Sequence, residues 1–204
     1  MRRILTRSAP ANVLVLVLLA CGGGAAAQGT EFNLSCHAGE VLVGISGRQG
    51  WWMEGIAARC RSVETNGALG ASIRSTEYAG GTTGTLRTFD CSPAEVMVGY
   101  SGVQGDNGYV LHVQQVFCAP WQVDTRMAGT PVRTVSAFDR KSAPGRSMAQ
   151  SCPDGRVGTR LRGRAGRYLD KLIDIGCSYA GGAHPTVGRG KKGREPIAGP
   201  ERAS

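Results

Sequence analysis

Two short stretches pair aromatic rings with a carboxylate behind a glycine: Gly50-Trp51-Trp52-Met53-Glu54 and Gly166-Arg167-Tyr168-Leu169-Asp170. An acid and an aromatic on one loop can hold a sugar, the carboxylate accepting from two hydroxyls while the ring stacks on the apolar face of a pyranose. Trp52 and Tyr168 each stand two residues after their glycine and are the natural stacking rings. Trp51 is expected to be the more exposed of its pair, because adjacent strand residues face opposite sides. The plainer assignment packs the rings into the core or the base of each turn and uses Glu54 and Asp170 to cap turn amides. Arg48 and Arg164 also share one repeat position, as markers of an acidic ligand or as solvated turn charges. Catalysis finds little support. His37, His112 and His184 fall at unrelated positions and are expected on the surface, and the long cysteine spacings are not metal spacings of the C-x-x-C kind. A glycosidase pair made of Glu54 and Asp170 would need carboxyl groups roughly 5 to 9.5 Å apart, closer than equivalent positions on two faces should stand. We therefore expect no enzymatic activity, no metal and no cofactor.

Both stretches belong to a threefold repeat whose cores run 36–60, 91–118 and 152–177, each opened and closed by a cysteine. Counted from the opening cysteine, glycine recurs eleven residues on (Gly47, Gly102, Gly163) and fourteen residues on (Gly50, Gly105, Gly166). Seven residues before that cysteine glycine recurs again (Gly29, Gly84, Gly145). A register kept three times identifies a repeat architecture. Within each unit a short apolar run (Val41 to Ile45, Val96 to Tyr100, and more weakly Val157 to Leu161) leads to a glycine turn. A second run then leads to the closing cysteine, which reads as a β-hairpin. Segments before each opening cysteine (FNLS, LRTF, SMAQ) and after the closing ones (ASIRSTEY, VRTVSAF) supply two further strands per unit. Three four-stranded sheets can cover one another around a common axis, which brings the N- and C-terminal strands into one neighbourhood. The third unit is cut short after Cys177.

The chain opens with three arginines and no acid among its first twelve residues, then the apolar run Val13 to Ala20, the pattern of an export signal. Cleavage is expected either after Ala27, which makes 1–27 a signal peptide, or before Cys21, which makes 1–20 a lipoprotein signal and Cys21 a lipidation site. Either way six cysteines remain, and six in an exported chain imply disulfides. Of the fifteen connectivities, two respect the repeat: pairing within each unit, or pairing the end of one unit to the start of the next. Pairing within units (Cys36 with Cys60, Cys91 with Cys118, Cys152 with Cys177) is favoured, because the returning strand brings Cys60 level with about Gly39. Residues 28–182 then form one domain, and 183–204 a disordered basic tail. The whole chain has a formal charge of +9, but much of the excess lies in the leader and the tail. Without a concentrated basic stripe, nucleic acid is not an expected partner.

Glycine-bounded hairpins of this kind, with the glycine loop Gly80-Gly81-Thr82-Thr83-Gly84 some twenty residues on, resemble the jacalin-related lectins. The cysteine-bounded threefold repeat also resembles the vitelline membrane outer layer protein. The resemblance runs from about Gly29 to Gly182. It implies an all-β, β-prism I fold of three four-stranded antiparallel sheets about a pseudo-threefold axis, and a sugar site made of loop backbone and a G-x-x-x-D loop. Gly166, Tyr168 and Asp170 match that loop, Gly50, Trp51, Trp52 and Glu54 match it with glutamate for aspartate, and Gly80 and Gly81 match the glycine loop. The second unit, Gly105-Asp106-Asn107-Gly108-Tyr109, has no acid at the fifth place, and the fuller glycine loop of the family is absent. The expected function is a secreted, periplasmic or lipid-anchored lectin-like protein that binds a glycan or envelope polysaccharide. Membrane contact is expected only through Cys21. The competing expectation is a structural or protein-interaction module of the cell envelope.

Overall fold

The structure, a computed structural model, describes residues 29–138 and 144–180. The expected leader with Cys21, the tail 183–204 and His184 lie outside the described residues. Thirteen strands follow in order: β1 (Thr30–Ser35), β2 (Glu40–Gln49), β3 (Met53–Val63), β4 (Leu69–Ser75), β5 (Ala79–Gly80), β6 (Thr85–Asp90), β7 (Glu95–Gly105), β8 (Val110–Gln122), β9 (Met127–Ala128), β10 (Arg133–Ser136), β11 (Gly145–Ser151), β12 (Val157–Ala165) and β13 (Leu169–Ser178). There is no helix among the described residues, and so none long and apolar enough to cross a membrane.

The strands form three antiparallel sheets, in the orders β4-β3-β2-β6, β10-β8-β7-β11 and β1-β12-β13, with β5 added to β3 and β9 to β8. This is the all-β, three-sheet prism that the repeat predicts, with two differences. The third sheet has three strands among the described residues. The segments before each opening cysteine do not join their own unit either: β6 pairs with β2, β11 with β7, and β1 with β12. Each unit thus completes the sheet of the unit before it in the cycle, and β1 closes the ring by pairing with the last hairpin.

The core depends on a bulge that recurs in every hairpin. The register slips between Leu42 and Gly44, between Met97 and Gly99, and between Gly158 and Arg160. An inserted residue shifts the alternation by one, so residues three apart come to share a face. Leu42 with Ile45, and Met97 with Tyr100, all point into the main core with Leu161 and Ile175. Val41, Val43, Val96 and Val98 point the other way, into a second cluster under Trp121. Gly47 is required by close approach, since a Cβ there would lie 2.5 Å from Phe138 Cζ and 2.9 Å from Met53 Cε.

The disulfides pair Cys36 with Cys60, Cys91 with Cys118, and Cys152 with Cys177, the within-unit connectivity. They staple the open end of each hairpin and leave the turn ends to converge at the far end of the prism. One expectation fails here. His112 is 1% exposed, inside β8 rather than on the surface, because this stretch of β8 is covered on both faces.

Candidate functional site at the turn end

The three turns are built alike. Gly50 N–H donates to the Trp52 carbonyl (3.0 Å), Gly105 N–H to Tyr109 (2.8 Å) and Gly166 N–H to Tyr168 (2.9 Å). The second turn is two residues longer, and Gly108 takes the positive φ (89°) that its tip requires. In each turn the residue that accepts this bond is aromatic, and the next, Met53, Val110 or Leu169, is buried. Each ring is thus held at the rim while its neighbour anchors the strand in the core.

The rings meet across the units. Trp51 and Trp52 are edge to face at 6.4 Å, Trp52 and Tyr109 lie 6.2 Å apart, and Tyr109 and Tyr168 pack edge to face at 5.4 Å. The Arg167 guanidinium sits 5.5 Å over the Tyr168 ring. Trp51 is 63% exposed, while Trp52, Tyr109 and Tyr168 are half-buried. Trp51 is therefore the outer residue of its pair, although both tryptophans sit in a bend rather than a strand. The result is one continuous aromatic ledge. Tyr109 and Arg167 are its unexpected members. Tyr109 stands in the turn that has no acid at the fifth place, yet the pattern of an aromatic before an apolar residue, as in Trp52-Met53 and Tyr168-Leu169, marks it.

The two carboxylates differ. Glu54 is 9% exposed and accepts the Thr83 hydroxyl, while its backbone carbonyl accepts the Gly81 amide at 2.6 Å. It brackets the glycine loop against β3, where Gly80 pairs with Gly55. Asp170 is half-buried, and its Oδ2 accepts the Gly29 amide at 2.7 Å. No other side-chain bond to Asp170 forms among the described residues. Neighbouring backbone ties the loops together: Gln104 Nε2 donates to the Asp170 carbonyl (3.2 Å) and to the Gly108 carbonyl (3.0 Å). Gly81 packs directly on the Arg167 backbone. Gly50, Gly80, Gly81 and Gly166 are thus structural parts of one rim, although they come from the first and third units.

Arg48 and Arg164 are both engaged by the fold, and Arg48 donates to the Gly84 carbonyl of the glycine loop at 3.4 Å. Arg48 lies 5.9 Å over the Tyr78 ring and Arg164 pairs with Glu31 at 3.0 Å. At the other end Glu40 and Glu95 each stand beside a cysteine pair, but those sulfurs are joined in disulfides and the carboxylates bond the His37 and Ser92 amides, both at 2.8 Å. These groups are stapled caps, not thiolate metal sites. Burial pushes the Tyr100 phenol well above its ordinary range, so this core tyrosine stays neutral.

No protein-family model matches the chain, and no curated protein matches it. Among solved structures it is similar to a prostate-specific WGA16 glycoprotein lectin, at 17% identity over 74% of this chain and 90% of that one, with a TM-score of 0.48. It is also similar to AcmJRL, a mannose binding jacalin related lectin from Ananas comosus, at 16% identity over 71% of this chain and 86% of that one, with a TM-score of 0.45. Artocarpin, solved in complex with mannotriose, is similar at 14% identity over 74% of this chain and 90% of that one, with a TM-score of 0.48.

Proposed function

We propose that the chain is a lectin-like, non-enzymatic carbohydrate-binding protein, a single domain over 28–182 that is exported and either released or held by a lipid at Cys21. The observation that carries this reading is the aromatic ledge of Trp51, Trp52, Tyr109 and Tyr168, with the half-buried carboxylate of Asp170 on the third turn. Rings of this size offer stacking faces for the C–H side of a pyranose, and a carboxylate offers acceptors for its hydroxyls. The three disulfides support an extracytoplasmic home. The sugar comes from a glycan or an envelope polysaccharide, with no role for nucleic acid.

A structural module of the envelope is the second reading. The near-complete burial of Glu54 and its bond to Thr83 favour it, since a carboxylate so engaged works as a bracket. A glycan-array screen of the oxidised chain from Gln28, run beside Trp51→Ala, separates the two. Binding to a defined sugar that Trp51→Ala weakens supports the lectin reading. A folded, disulfide-intact protein that binds none sinks it in favour of the module.

A further inference from the structure

At the disulfide end, two of the three junctions between units are closed by packed chain. Between the first and second units the Trp121 indole N–H donates to the Gly67 carbonyl at 2.7 Å, and Val123 lies against Gly67. Between the second and third, the Ala128 amide donates to the Gly155 carbonyl at 3.2 Å and Met127 packs on Gly155. Between the third and first there is a cleft of about 540 Å³, lined by His37, Glu40, Arg126, Thr159, Ser178 and Tyr179 among others. This volume is in the range of small-ligand sites.

Of the two opposite charges that line the cleft, Glu40 is already paired and Arg126 has no carboxylate partner among the described residues. Glu40 accepts from the His37 amide at 2.8 Å and from Arg74 Nη2 at 2.5 Å, so its charge is already answered by a guanidinium. Arg126 donates to the Thr65 carbonyl at 2.7 Å, while Arg156, outside the lining, covers one face of the Tyr179 ring at 5.3 Å. Neither arginine pairs with a carboxylate among the described residues. Arg126 is also the one described residue other than glycine with positive φ, at 53°. Such backbone is held against its own preference by the surrounding structure and recurs at ligand sites. Ser178 adds a hydroxyl, Thr159 adds a hydroxyl oxygen that can accept while its proton goes to the Gly176 carbonyl at 3.1 Å, and Tyr179 adds a ring.

We propose that this cleft binds a carboxylate-bearing sugar, a hexuronate unit, at a second site on the end of the prism opposite the aromatic ledge. Arg126 would face the carboxylate, the hydroxyls of Thr159 and Ser178 the ring hydroxyls, and Tyr179 the apolar face of the sugar. The cleft shares no residue with the turn end, so its failure leaves the lectin reading standing, and the reverse also holds.

The test is calorimetric titration of the oxidised chain from Gln28 with glucuronate and galacturonate, as monomers and short oligomers, against glucose and galactose. The uronates should bind at least tenfold more tightly than the neutral sugars. Arg126→Gly, which keeps the backbone conformation and removes the guanidinium, and Tyr179→Ala should each weaken uronate binding at least tenfold. Trp51→Ala should leave it within twofold. No uronate binding, no preference over neutral sugars, or uronate binding lost with Trp51→Ala would each overturn the proposal. So would binding unchanged by both cleft variants. A melting curve and a count of intact disulfides show that each variant is folded, and Tyr179→Ala decides the matter if Arg126→Gly is not.

Discussion

Asp170 and Glu54 occupy the same repeat position, yet the structure gives them different work, and replacing each carboxylate by its amide should separate them. Asp170→Asn keeps an oxygen that can accept from Gly29 N–H, so the tie between the N-terminal strand and the third turn survives in neutral form. A charge-assisted hydrogen bond contributes about 1.5–3 kcal/mol and a neutral one about 0.5–1.5. The expected loss of stability is about 1 kcal/mol, a fall in Tm of a few degrees for a domain of this size. For a bound sugar, exchanging a charged acceptor for a neutral one across two hydroxyls should weaken affinity by roughly 10- to 100-fold, at about 1.4 kcal/mol per factor of ten. Glu54→Gln retains an acceptor for the Thr83 hydroxyl in a site with almost no exposed surface. It should leave sugar affinity within twofold and register only as a small stability change. Calorimetric titration with whichever sugar the array identifies, paired with thermal melts, reads both quantities on the same samples. If Glu54→Gln abolishes binding while Asp170→Asn leaves it intact, the division between a working third turn and a bracketed first turn is wrong.

Three further outcomes follow from the geometry. The disulfide loops have nearly equal sequence separations of 24, 27 and 25, so chain entropy assigns each about 3–4 kcal/mol. Because Cys91 and Cys118 are both buried, replacing that pair by alanine should lower the denaturation midpoint most; equal losses would mean that burial adds nothing. Gly47→Ala should destabilise by about 1–3 kcal/mol through overpacking against Phe138 and Met53. Gly39→Ala, with φ of 81° but nothing within 4 Å of a new Cβ, should cost about 1 kcal/mol from backbone strain alone; urea titrations in which Gly39→Ala is the worse variant would contradict the packing account. The hydrogen bond from Arg74 holds the Glu40 carboxyl below its ordinary value of 4.5. Its stabilisation is therefore complete above that value and is lost as the pH falls through the lowered value. Stability measured from pH 6 to pH 2 should show a shallower acid limb in Arg74→Gln, and an unchanged limb would remove this pair from the acid response.

The repeat was legible because cysteine and glycine are the residues a hairpin cannot exchange freely: one staples its open end, the other permits its turn and the contact at Gly47. The within-unit pairing followed from where a returning strand brings Cys60. The phase of the core was not legible. Strict alternation puts Leu42 and Ile45 on opposite faces, and the bulge that reunites them leaves no mark in side-chain type. The ownership of β6 and β11 was also hidden, because a strand that leads into one unit and pairs with the previous one has the same sequence pattern either way. At the turn end, the acid and the rings of the first and third units were found by position. Tyr109 was not, because its two-residue longer turn moved it out of the count. That three turns form one ledge is a property of the axis, which no single stretch of chain encodes.

The pairing of β1 with β12 has a consequence for how the molecule is made. β1 finds its partner only after the third hairpin has been synthesised, so the ring cannot close on a growing chain. Until then the edge of β1 and the apolar inner faces of the first two sheets remain uncovered, the condition in which partly folded chains aggregate. A chain ended before Val157 would leave β1 without its partner for good. If the chain is exported as proposed, closure and oxidation occur together, on a finished polypeptide, in a compartment where the cysteines can pair.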